Sequence, residues 1–114
     1  MNLDKICKVV HDVVKAYLDN CSKLRMFTWE DSPKYHKDSV KGVVSFLVDH
    51  PDCTCEEIHS EWCRFKNHEG WAYGERPNSI KMQHPWLIPI KELKPAEQRI
   101  PLIVKAVVAA AVVS

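Results

Sequence analysis

The residues best suited to chemistry lie between positions 53 and 89. Trp62 has His59 three residues before it and Lys66 four after it, so on a helix all three share one face. An indole flanked by a cation and an imidazole suits a planar base attached to an anionic tail. Gly70-Trp71-Ala72-Tyr73-Gly74 sets two aromatic rings at alternate positions between two turns; Arg76 follows as a second candidate anion contact, and His84-Pro85 fixes an extended bend. Two other chemistries compete for the same segment. Cys53, Cys55, His59 and Cys63 offer zinc-type ligands, but C-x-C is not the usual zinc-knuckle spacing. Cys63 and His59 also draw a thiol–imidazole pair, with no oxyanion hole and no third orienting group beside it. Neither a Walker loop nor G-x-G-x-x-G occurs. No catalytic set, metal or cofactor is therefore expected.

Each candidate also has a plain structural reading. Trp62 falls at helical spacing with Ile58 and Phe65, which is a core pattern. Trp71 and Tyr73 fit rings buried to pin the Gly70–Gly74 turn, and His84 fits a hydrogen-bonded structural histidine. Trp29 is either a hydrophobic staple or a pocket wall. Lys66 and Arg76 are, by default, solvated surface charges.

The elements that must position these groups are mostly helical. Leu3, Ile6, Val9, Val10, Val13, Val14 and Tyr17 trace one face of a helix over 3–18. Residues 20–31 read as a connection anchored by Phe27 and Trp29. Ser32 as N-cap and Pro33 at the first helical position predict a second helix that ends at Pro51. Gly42 inside it costs about 1 kcal/mol relative to alanine, which a close ring or backbone would explain. Thr54 and Glu57 form a capping box for a third helix running to about Asn67 and closed by Gly70. The loop-rich stretch 70–93 predicts short extended pieces at 71–73 and 86–90. Pro95 opens a last helix, which Pro101 should kink or break. Residues 102–113 are apolar all round except for Lys105, so burial on more than one face is expected.

Composition narrows the function classes. The 114 residues are 46% hydrophobic and 27% charged, with a net charge of +1. Basic and acidic residues balance in both halves, so no basic stripe supports sequence-independent nucleic-acid binding. The longest apolar run is short of the roughly 20 residues that a bilayer span needs. Five cysteines without a leader-like start predict free thiols in a reducing, cytoplasmic setting.

The ordered elements E-x-x-H-x-x-W, G-W-x-Y-G, H-P-x-L-x-P and x-E-L resemble the ryanodine receptor repeat (RyR) domain. They are carried by Glu56 or Glu57, His59, Trp62, Gly70, Trp71, Tyr73, Gly74, His84, Pro85, Leu87, Pro89, Glu92 and Leu93. The first half, with Trp29-Glu30-Asp31, Pro33, Ser39, Gly42-Val43 and Pro51-Asp52, is similar to the leader of small single-repeat proteins of bacteria and phages. Glu75-Arg76-Pro77-Asn78 and Arg99-Ile100-Pro101 depart from the family pattern.

The resemblance implies a mainly α fold of about four helices with short β pieces, in a single domain. Residues 1–54 would form an N-terminal helical extension and 55–113 the repeat-like core. It implies a homodimer mimicking the tandem repeats of the channels, and an adenine-nucleotide or ADP-ribose-like ligand stacked on Trp62. His59 and Tyr73 would then supply hydrogen bonds, Lys66 and Arg76 anion contacts, and Trp29 a wall; Gly70, Trp71, Gly74, His84 and Pro85 would be structural. The implied role is non-catalytic binding, extending to sequestration of an immune signal in the host cytoplasm for a phage protein. A protein–protein adaptor using exposed aromatics is the alternative.

Overall fold

The computed structural model describes residues 2–113. Four long helices carry the fold: α1 (Leu3–Cys21), α2 (Lys34–Asp49), α3 (Cys55–His68) and α5 (Ile100–Val112), with the short α4 (Pro95–Gln98) before the last. Strands β1 (Ala72–Tyr73) and β2 (Gln83–His84) pair in parallel, Ala72 opposite Gln83 and Tyr73 opposite His84. The second extended piece therefore lies at 83–84 rather than 86–90. Residues 85–86 form a turn instead, and a 3-10 turn occupies Ile90–Glu92.

One apolar core joins the helices. Ile6, Val10, Val14 and Leu18 of α1 pack with Val43, Val44 and Leu47 of α2, Ile58 of α3, and Val104 and Val108 of α5. The core thus draws on helices from both the 1–54 and the 55–113 stretches. Burying these side chains is worth about 1.5–3 kcal/mol each, and no helix could keep that gain alone.

Local signals set the helix ends. Asn2 caps α1, its side chain accepting the Lys5 N–H at 3.1 Å. Thr54 and Glu57 make the reciprocal capping box, at 3.1 and 2.9 Å. Gly70 closes α3 at φ +99°, a conformation that costs glycine little. The start of α2 differs by one residue from the expectation. Pro33 occupies the N-cap position, and the Ser32 hydroxyl donates to the Thr28 carbonyl at 2.8 Å instead of capping.

Two prolines act as predicted. Pro95 opens α4, and the chain breaks at Arg99 before restarting as α5, with Pro101 in its first turn where a missing N–H is harmless. Lys105, the one charge within α5, donates to the Cys53 carbonyl at 2.8 Å. Gly42 has its explanation too: a Cβ there would lie 3.0 Å from the Phe65 ring, so α2 and α3 meet closely. Phe27 does not anchor its connection; it is 64% exposed, while Trp29 packs on the core.

Candidate functional site

A cavity of about 380 Å³ opens between the helices and the loops that cover them. That volume lies within the range typical of small-molecule sites, about 300–1,000 Å³. Val10, His11 and Val14 of α1 and Tyr35, His36, Val40, Val43 and Val44 of α2 form one wall. Trp62 and Lys66 of α3, then Trp71, His84 and Trp86, form the other. The connections at 24–27 and 77–79 complete it.

The α1–α2 wall holds its polar atoms in a chain. His11 is fully buried, and its Nε2 lies 2.8 Å from the Phe27 carbonyl. A carbonyl only accepts, so Nε2 carries the proton and Nδ1 accepts. His36 Nε2–H donates to that Nδ1 at 2.9 Å. Burial, with His11, Lys66 and His84 nearby, pushes the His36 imidazole down to about 4. The His36 ring is therefore neutral near pH 7.

The α3 wall is aromatic. Trp62 is half-buried, its ring 5.2 Å from His84 and 6.3 Å from Trp86 between centroids. His84 Nδ1 accepts the Trp86 backbone N–H at 3.1 Å, which leaves the proton on Nε2. Burial and the Lys66 and His59 charges push His84 down to about 4. Lys66 is only 4% exposed, its ammonium 4.8 Å from the Trp71 ring and 5.0 Å from Tyr35. That ammonium makes no hydrogen bond or ion pair with any described residue. Desolvation lowers its pKa, and the two ring faces favour the cation.

The predicted residues separate on this geometry. Trp62 and Lys66 share the cavity, and Lys66 is buried rather than solvated. Trp71 and His84, expected to be structural, are buried and hydrogen-bonded respectively, and both also line the cavity. His59 stacks near Trp62 at 5.9 Å but turns its Nε2–H to the Ile88 carbonyl at 2.7 Å, outside the lining. Tyr73 is exposed on β1 rather than pinning the turn from within, and Arg76 is exposed; neither lines the cavity. Trp29 walls a separate shallow depression with Lys37 and Lys41. Gly74 is structural: a Cβ there would lie 2.6 Å from Gln83 Cβ, where β1 meets β2. Pro85 begins the turn after β2.

Cys63 Sγ lies 3.4 Å from His59 Nε2, the nitrogen that already donates to Ile88. That imidazole atom has no lone pair for the thiol proton, and burial raises Cys63 to about 11. Among the described residues, no group of three or more metal-type ligands comes together. No described helix is long and apolar enough to cross a membrane.

The sequence reading missed His11, Tyr35, His36 and Trp86. His11 lies in phase with Cys7, Val14 and Leu18, and His36 in phase with Ser39, Val40 and Val43, so both sat on buried stripes. No curated protein matches the chain. A family model described as RyR domain matches residues 38–107, more than half of it.

Proposed function

The chain belongs to the RyR domain family, and on that premise we propose that it is a non-catalytic binding protein for a nucleotide-derived small molecule. The observation that carries this reading is the pairing of an accessible indole and a buried cation, Trp62 and Lys66, in one cavity. The base stacks on Trp62, and Lys66 offsets the charge of the phosphate-bearing part. An adenine nucleotide or an ADP-ribose-like signal has both parts. Capture of such a signal, in the manner of a phage anti-defence sponge, is the role that tight binding would serve in a host cytoplasm. The outer side of α5, with Leu102, Ala106 and Ala109 exposed and uncharged, is the face on which we place a homodimer contact.

Calorimetry with adenine nucleotides and ADP-ribose derivatives tests the reading. Trp62→Ala should weaken binding by about 1–3 kcal/mol, the usual worth of a stacked base, with the helical circular dichroism retained. Equal binding by the variant, or none by the wild type, would remove the idea. Light scattering reports the dimer.

The adaptor reading has its own support. Phe27, Tyr73 and Ile80 are exposed aromatic or apolar side chains on loops or a loop edge, Ile80 at 94%. A stoichiometric protein partner lost on replacing these three with serine, with no small molecule released on heating, would favour it.

A further inference from the structure

The cavity contains an unusual charge. A buried ammonium normally finds a carboxylate, because an unpaired charge out of water is costly. Lys66 is more than nine-tenths buried, lines the cavity, and has only ring faces beside it. Glu69 and Asp38 act on it electrostatically without forming an ion pair, and the Glu69 Oε1 is itself buried without a hydrogen-bond partner among the described residues. In the same lining, and within reach of its charge, His84 has an Nε2–H with no protein acceptor and His36 an Nδ1 with no protein donor, among the described residues. The second cation of the lining, Arg25, is exposed and folded onto the Ser22 carbonyl at 2.5 Å.

We infer that this end of the cavity is a seat for one anionic group, held by Lys66 and His84 with His36 beside them, so that the ligand is a ring-bearing acid of single charge and not a polyphosphate. The inference rests on the nucleotide reading for the ring, and on the cavity alone for the anion. Trp62 and Lys66 are one helical turn apart, about 5–6 Å between their Cβ atoms, which is a short span from stacked ring to charge. A second and third phosphate would meet no further buried cation among the described residues. Seating the anion also favours a proton on His36 Nδ1. The charged or titratable neighbours that bear on this are His11 from α1, Lys66 and His59 from α3, His84, and the acids Asp38 and Glu69. Protonating Nδ1 of His84 or of His11 would each cost a protein hydrogen bond, and His59 lies outside the lining, so His36, whose Nδ1 accepts none, is the proton acceptor.

The test is calorimetry of the full chain with 3′,5′-cyclic AMP, adenosine, ATP and sodium sulfate at pH 7.5 and 5.5, beside NMR of the histidine rings. Cyclic AMP keeps one charge across this range, so any proton taken up belongs to the protein. Cyclic AMP should bind at least about tenfold more tightly than adenosine, the low end for a charged hydrogen bond, and at least as tightly as ATP. Its affinity should rise at pH 5.5, by at most about tenfold per pH unit for one proton. Lys66→Met should equalise cyclic AMP and adenosine, and Lys66→Arg should restore part of the difference. Equal binding of cyclic AMP and adenosine by the wild type overturns the seat and leaves the nucleotide reading standing. Sulfate shifting the His84 and His36 resonances while no nucleoside compound binds keeps the seat and removes the nucleotide. ATP binding more than tenfold tighter than cyclic AMP overturns the single charge. No response to any of the four probes overturns both.

Discussion

The two walls of the cavity solve the same problem in opposite ways. On the α1–α2 side, both imidazole N–H groups are engaged by the protein, His36 to His11 and His11 to the Phe27 carbonyl. On the α3 side, the Lys66 ammonium and the His84 Nε2–H are left without acceptors among the described residues. On the first wall every imidazole N–H is engaged, and only the His36 Nδ1 lone pair stays open. The other is rich in donors and poor in acceptors, and a guest that supplies acceptor oxygens would complete it. The difference therefore sets which way an acid would face.

The largest effect expected is that of acid. His36 and His84 sit near 4 when folded and near 6.5 when unfolded, so the unfolded chain binds more protons between those values. Their contribution to stability is fully present above about pH 6.5 and is lost as pH falls towards 4, at about 1.4 kcal/mol per unit for each histidine. Denaturant melts across that range check it, and His36→Gln should flatten the slope. A slope unchanged in His36→Gln would place the acid sensitivity on the α3 wall alone.

Next in size is His11→Ala. It removes a fully buried ring and both hydrogen bonds of the first wall, and should cost about 3 kcal/mol in urea unfolding. Lys66→Met should do the reverse on the other wall. With no ligand present, removing an unpaired buried charge should raise stability by about 1 kcal/mol despite the lost ring contacts. Opposite signs for these two variants would sharpen the contrast, and matching losses would break it. Thr54→Ala, which uncaps the helix carrying Trp62 and Lys66, should cost about 1 kcal/mol. The smallest effects belong to Tyr73→Ala and Arg76→Ala, each leaving nucleotide affinity within about 0.5 kcal/mol of the parent. A larger loss would extend the site beyond the cavity to β1 and its loop.

Much of the scaffold was legible because its signals are local. The capping box at Thr54, the closure at Gly70 and the break before Pro101 each depend on a few consecutive residues. Gly42 announced a close neighbour, though only the packed structure identifies it as Phe65. Half of the candidate site was legible for the same reason, since Trp62 and Lys66 share one helix face. The other half was not. His11 and His36 are 25 residues apart on different helices, and only tertiary packing brings their nitrogens to 2.9 Å. Tyr73 and Arg76 misled in the other direction. They stand close to Trp71 in sequence, but Tyr73 is exposed on β1 and Arg76 on the bend after it, so neither reaches the cavity that Trp62 lines.

The bond from Lys105 to the Cys53 carbonyl has a mechanical consequence. In a helix with no charge but Lys105, packing of Pro101, Val104 and Val108 is otherwise what sets the rotation about its axis. A single ammonium fastened to the α2–α3 connection indexes the rod, so Val104 and Val108 always point inward and Leu102 and Ala106 outward. With that fastening cut, as in Lys105→Met, only apolar packing would hold that rotation, and Ile100 and Val104, which line the cavity, would be less firmly set.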